Sequence, residues 1–307
     1  MSQTLPAFQG FPNFTTNLGR VDNNGIELNI NTQNIVLDNF AWNTSFNFSY
    51  NNNKIKHLYG EYDPETGKEL DDIGSGWFIG HSINEIWDYK CIGIWQSDEW
   101  EEAAKYNQQP GDPKVWNNPD NDVYDEQGNL VRAVYNNDDK LFLGQRNYPV
   151  LMGMRNEFIL FKNLSISFNL TSKIGAKSNR GEYQYDAFLN QDDAGGFLKN
   201  GMRNQRWKEY WTIDNPSDKY ARINALGPAG AENVKLYQNR SFVRLQDLAI
   251  GYTFPESIVK KMYLTGLRVY GNVNNLFVIK SSDWYYGDPE NQNYAPRTFS
   301  LGLDVTF

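Results

Sequence analysis

The sequence predicts an all-β fold, an antiparallel transmembrane β-barrel segment of about eight strands with long loops. Three observations carry this. The final residues 297–307 place Phe299, Leu301, Leu303, Val305 and Phe307 on one parity and Thr298, Ser300, Gly302, Asp304 and Thr306 on the other. Successive strand residues point to opposite faces, so one face is apolar and the other small and polar. That strand alone suits a soluble sandwich and a membrane barrel equally. In residues 40–51, Phe40, Trp42, Thr44, Phe46, Phe48 and Tyr50 alternate with Ala41, Asn43, Ser45, Asn47, Ser49 and Asn51. Twelve such residues span about 40 Å, longer than most soluble strands. Third, short and long connections largely take turns along the chain, as in outer-membrane barrels.

The elements follow in order. Strands are expected at 18–32, where Ile26, Leu28 and Ile30 oppose Glu27, Asn29 and Asn31, and at 40–51. A less regular strand is expected at 77–95. A hairpin of 148–161 and 164–175 turns at Phe161-Lys162-Asn163, and further strands occupy 240–254, 264–275 and 297–307. Long loops fall at 96–145, with one helical turn near 98–106, and at 178–239 and 276–296; 162–163 and 255–262 are short. With eight strands the short 33–38 and the long 54–76 break the alternation. The polar faces carry Asn, Ser, Thr, Gly and Ala rather than core-filling residues, which suits an arc of a larger, wet barrel.

Composition narrows the function. There are 29 Lys plus Arg against 37 Asp plus Glu, a net charge of −8, which argues against nucleic acid as a partner. No run of 18 apolar residues is present, so helical spans are excluded, but alternating strands are not. Cys91 is the single cysteine, placed among Tyr89, Ile92 and Ile94 as a strand residue, and His57 and His81 are the only histidines. A Ser-His-Asp triad or a His-ligated metal would have to be built from these two. Asp98, Glu99, Glu101 and Glu102 read as a solvated face, since nothing sets two carboxylates across a cleft. The chain is therefore not expected to be an enzyme or to need a cofactor. Its amino terminus has no basic and apolar leader.

Several segments resemble the carboxy-terminal third of SusC/RagA-type TonB-dependent outer-membrane transporters. They are Asn24-Gly25-Ile26-Glu27-Leu28, Phe48-Ser49-Tyr50-Asn51, Gly93-Ile94-Trp95-Gln96, Pro110-Gly111-Asp112, the run 241–248, Gly251-Tyr252-Thr253-Phe254-Pro255, Asn274-Asn275-Leu276-Phe277 and the run 296–303. The resemblance implies that residues 1–307 are the carboxy-terminal portion of a 22-stranded-type barrel in the outer membrane of a Gram-negative, Bacteroidetes-like bacterium, its loops facing the cell surface. It implies import of glycan or peptide nutrients, a SusD-like surface lipoprotein as lid, and TonB-ExbB-ExbD acting through a part not present here. The family's signal peptide, plug and early strands have no counterpart in these residues. The remainder of barrel and plug then lies in the same or another chain, and outer-membrane lipid surrounds the wall. The alternatives are a secreted all-β carbohydrate-binding protein or glycan-degrading enzyme, and a free-standing small barrel.

Candidate sites are few. The alternation Phe299, Leu301, Leu303, Val305 and Phe307 resembles a barrel-assembly signal. Arg206, Trp207, Tyr210 and Trp211, with Asp283, Trp284, Tyr285 and Tyr286, concentrate aromatics and charges in two long loops. Aromatic faces stack on sugar rings and the charged neighbours can bond hydroxyls, which makes these residues candidates for ligand contact; for any one of them, loop packing or lid contact is the preferred reading. Asn118, Asp120 and Asp122 have calcium-loop spacing, but Val123 stands at position six and Asn129 at position twelve. The preferred reading is a solvated acidic loop with no metal.

Overall fold

A computed structural model describes residues 2–4, 13–15, 19–179, 210–218, 220–222, 225–228, 234–284, 287–291 and 295–307. The chain divides into two compact units. One comprises Met1–Asn84, Gln145–Lys177 and Asn239–Phe307, and the other Glu85–Gly144 and Ser178–Gln238.

The first unit is built on seven antiparallel strands in sequence order: β1 Arg20–Leu37, β2 Phe40–His57, β3 Val150–Leu160, β4 Leu164–Ile174, β5 Phe242–Thr253, β6 Gly266–Lys280 and β7 Thr298–Thr306. Each pairs with its sequence neighbour in this set, leaving β1 and β7 as the two edges. The register explains why these residues are strands. The row Ile35–Trp42–Phe158–Ile166–Ile250–Gly271–Leu301 runs across all seven on one face, and the row Leu37–Phe40–Leu160–Leu164–Tyr252–Val269–Leu303 lies beside it. The opposite face carries rows such as Asn43–Glu157–Ser167–Ala249–Asn272–Ser300. Period-two alternation is thus summed into one apolar and one polar sheet face.

The expected eighth strand, 77–95, does not join this sheet. It divides into Glu85–Tyr89, paired with Lys140–Gln145, and Cys91–Ile94, paired with Pro113–Val115. Its irregular alternation reflects short strands in the second unit rather than one long strand. Removing it restores the rule that eight strands had broken. The connections 38–39, 161–163 and 254–265 are short and share one end of the sheet, whereas 58–149, 175–241 and 281–297 are long and share the other. The carboxy terminus lies at the short end, where Thr265 N donates to Thr306 O at 2.8 Å.

Two strand ends differ from expectation for the same reason. The first strand continues to Leu37 because its register shifts between Gln33 and Ile35, leaving Asn34 as an extra residue. Such a bulge switches parity, so a reading by alternation stops short of it. Another shift lies between Leu245 and Asp247 of β5, opposite Asn275, whose φ is +54° and through which β6 runs on to Lys280. The expected helical turn near 98–106 is present as a 3₁₀ turn Ser97–Glu99 followed by the helix Trp100–Lys105.

The second unit has its own apolar centres. Tyr89, Val115, Tyr135 and Val234 form one and Ile94, Trp211 and Ala221 another. Burial pushes the Tyr135 hydroxyl far above its ordinary range, reinforced by Tyr106 and Asp139.

Candidate functional site: two sheet faces and the long-connection end

The apolar face of the first unit is its most unusual surface. Phe299 is 69% exposed, Leu301 91%, Leu303 61% and Phe307 90%, and Ile26, Leu28, Ile30, Leu37, Ile250 and Ile279 are exposed too. A face this continuous across seven strands marks a surface that meets an apolar environment. Toward its short-connection end it carries a row of packed rings. Trp42 and Phe158 stack with centroids 5.7 Å apart, Phe40 lies 6.5 Å from Phe158 and Phe168 lies 6.2 Å from it. Outer-membrane barrels place such rings at the membrane interfaces. Of the five residues expected as an assembly signal, Phe299, Leu301, Leu303 and Val305 lie on this face of the edge strand β7, and Phe307 follows its end.

The polar groups on that face are satisfied internally. Trp42 Nε1 and Thr44 Oγ1 both donate to Asn156 Oδ1, at 2.9 and 2.7 Å, and Asn34 Nδ2 donates to Thr44 Oγ1 at 2.7 Å. The bulge residue is therefore held by the side chains beside it.

On the polar face, the Tyr270 ring lies across Gly302 of the next strand. A Cβ there would stand 2.1 Å from Tyr270 Cζ, so only glycine leaves room for the ring. Arg268 extends past the same ring, its Cζ 5.7 Å from the centroid.

At the long-connection end the predicted loop residues separate. Trp211 is 7% exposed, donates from Nε1 to Gln96 Oε1 at 3.0 Å and packs with Ile94 and Ala221. Tyr210 is half-buried beside it, its carbonyl accepting from Asn215 Nδ2 at 3.1 Å. Trp284 is 1% exposed. Asp283 accepts from Asn239 N at 2.9 Å and from the Ser281 hydroxyl. For Trp211, Asp283 and Trp284 the packing alternative describes the geometry better than an open ligand platform. Arg206, Trp207, Tyr285 and Tyr286 lie outside the described residues.

Asn118, Asp120 and Asp122 do not converge. Asn118 Oδ1 caps the turn Pro119–Asn121 by accepting from Asp120 N, while Asp122 accepts from Asn117 Nδ2 at 2.6 Å and Val134 N at 2.8 Å. Among the described residues no three His, Cys, Asp or Glu side chains come close enough to hold a metal ion.

The segments 93–96 and 110–112 prove to be one structural feature. Trp95 N donates to Asp112 O at 3.0 Å, Gly111 N donates to Trp95 O at 2.7 Å and Trp95 Nε1 donates to Gln108 Oε1 at 2.9 Å. Gly111 has φ +89°, and a Cβ on it would lie 2.5 Å from the Trp211 ring. Asp112 pairs with Arg222 at 2.9 Å; burial raises its carboxyl above the ordinary value, offset in part by Gln109 N and Arg222.

Sequence reasoning missed one charged group, in the first unit. Arg244 and Asp288 are both 4% exposed and lie 2.6 Å apart, with Arg240, Lys173 and Glu290 nearby. The available signal was Arg244 itself, a charge inside a strand flanked by apolar residues.

Comparison with known proteins places these features in a family context. No family model matches the chain. It is 28% identical over 332 residues to the TonB-dependent receptor P26 of Formosa agariphila, covering 99% of this chain and 31% of that protein. It is 28% identical to the TonB-dependent receptor SusC of Bacteroides thetaiotaomicron, covering 95% of this chain and 27% of that protein. Among solved structures it superposes on the RagAB peptide transporter with a TM-score of 0.65 at 20% identity, covering 99% of this chain and 31% of that one. On the RagAB peptide importer in the open-open state it superposes with a TM-score of 0.66, also at 20% identity and covering 31% of that chain. The chain thus spans about a third of the length of its relatives. The resemblance to SusC/RagA-type transporters holds along nearly all of it, and so does the antiparallel barrel-segment fold. These relatives are receptors and transporters, not enzymes.

Proposed function

We propose that this chain is the carboxy-terminal wall of an outer-membrane, TonB-dependent nutrient importer of SusC type. Its apolar face meets lipid, its polar face lines the interior, and its long connections form the vestibule at the cell surface. The observation that carries this reading is the pairing of one exposed apolar face with strictly alternating short and long connections. A secreted all-β protein would turn that face into a core. The cargo is an oligomeric nutrient, glycan or peptide, admitted beneath a SusD-like surface lipoprotein. Energy reaches the barrel from TonB-ExbB-ExbD through the remainder of the protein, which also supplies the plug.

Fractionation with intact-mass measurement tests this. Peptides of this chain should be recovered from the outer membrane only with detergent, in a subunit well above 35.5 kDa that co-purifies with a lipoprotein. Recovery in the soluble fraction would overturn the reading.

A further inference from the structure

The residues 287–291, Gly-Asp-Pro-Glu-Asn, are held against the polar face of the sheet by groups that no assigned role uses. Asp288 accepts at 2.6 Å from Arg244 Nη2 and at 2.9 Å from the Glu290 backbone N–H. Arg244 Nη2 also lies 3.3 Å from Glu290 Oε2, and Lys173 Nζ pairs with Glu290 Oε1 at 2.6 Å. The Pro289 carbonyl accepts from Tyr148 Oη at 3.0 Å and Arg240 Nε at 2.9 Å, and the Glu290 carbonyl accepts from Arg240 Nη2 at 3.0 Å. Groups from three strand ends, β3, β4 and β5, thus converge on three consecutive residues. All sit at the long-connection end.

An ion pair this buried is costly to form unless every group is satisfied. Here the closed arrangement leaves Arg244 Nε without an acceptor among the described residues. That is a geometry that fixes one position while leaving release within reach. A side chain on the polar face of a barrel strand is ordinarily wet, yet Arg244 and Phe242 are buried, Arg244 against Asp288 of this segment and Phe242 beside the Tyr148 ring and the Arg244 guanidinium.

We propose that residues 287–291 form a strap clamped over the interior wall by Arg244, Arg240 and Lys173, and that opening the Arg244–Asp288 pair swings it off and widens the vestibule. This rests on the importer reading above, because only there is the polar face an interior wall. The strap leaves behind three cations, Lys173, Arg240 and Arg244, so an anionic cargo group competes with Asp288 for them.

Thiol labelling of the full-length protein in intact cells, in a background without other cysteines, tests the proposal. Pro289→Cys keeps the backbone carbonyl and starts fully buried. Its reaction with a small maleimide should be slow in the parent and at least about tenfold faster with Asp288→Asn plus Glu290→Gln, since loss of a buried pair's partner favours local opening. Ser167→Cys, deeper on the same face, should react with a bulky polyethylene-glycol maleimide only in the released variant. Glu290→Gln alone strands no buried charge and should accelerate Pro289→Cys labelling less, in the same direction. Unchanged Pro289→Cys labelling overturns the clamp, and release without a change at Ser167→Cys overturns the widening. Rapid aqueous labelling of Leu301→Cys in the same cells would instead refute the membrane reading.

Discussion

Asn34 donates to Thr44 Oγ1 at 2.7 Å, at the point where β1 carries one residue more than β2. Thr44 passes the interaction on to Asn156, which accepts from Trp42 as well. The bulge and its polar network are therefore one unit, and they allow Ile35 and Leu37 to stay on the apolar face after Ile26, Leu28 and Ile30.

Asn156→Leu should remove the acceptor shared by Trp42 and Thr44 and leave two donors facing an apolar environment. Loss of about 2 kcal/mol in unfolding free energy is expected, on the scale of an unsatisfied buried donor. Denaturant titration of the full-length protein in lipid vesicles measures it; a neutral effect would show the network is not stabilising.

Gly302→Ala should force the Tyr270 ring off β7, at about 1–3 kcal/mol, the range for overpacking. The same substitution in a Tyr270→Ala background should cost much less. Equal costs in both backgrounds would rule out the contact.

These positions show what was legible in the sequence. Strict alternation in 40–51, 164–175 and 297–307 gave the strands, their faces and the hairpin at 161–163, because a regular strand writes its geometry with period two. The places where it failed are where the period itself breaks. Asn34 and Gln246 shift parity, and the short strands Glu85–Tyr89 and Cys91–Ile94 mimic one long irregular strand. Site residues were harder to read. Trp211 and Trp284 have the composition of a sugar platform, but burial depends on partners far along the chain, such as Gln96 and Ile94 for Trp211. The Arg244–Asp288 pair joins residues 44 apart in sequence, and no local pattern announces it.

Trp211→Ala should act on folding rather than on ligand affinity. Removing the ring from contact with Ile94 and Ala221 is expected to cost about 3–5 kcal/mol within the second unit. Limited proteolysis should show that unit cleaved while strands β1 to β7 remain protected. Intact protease resistance with weakened cargo binding would restore Trp211 as a ligand contact.

The segment after β2 should loosen in acid. Burial acts to raise the Glu69 carboxyl, but the Gly60 and Leu58 N–H groups and His57 outweigh it and hold the carboxyl below its ordinary value of 4.5. A carboxyl depressed on folding contributes stability above its unfolded value and loses it as pH falls through the folded value. Protection of the Leu58 and Gly60 amides from hydrogen exchange, relative to the unstructured rate at each pH, should therefore fall below about pH 4.5, and Glu69→Gln should abolish that acid-linked loss. An unchanged acid response in the variant would assign it to another group.

The central claim is that one sheet face meets lipid and the other water. Spin labels placed singly at residues 299 to 301 and 303 to 305 of the full-length protein in lipid vesicles test it most directly. Labels at Phe299, Leu301, Leu303 and Val305 should collide with dissolved oxygen, and those at Ser300 and Asp304 with an aqueous nickel chelate, in a strict two-residue period. A uniform aqueous response, or loss of the period, would contradict the account.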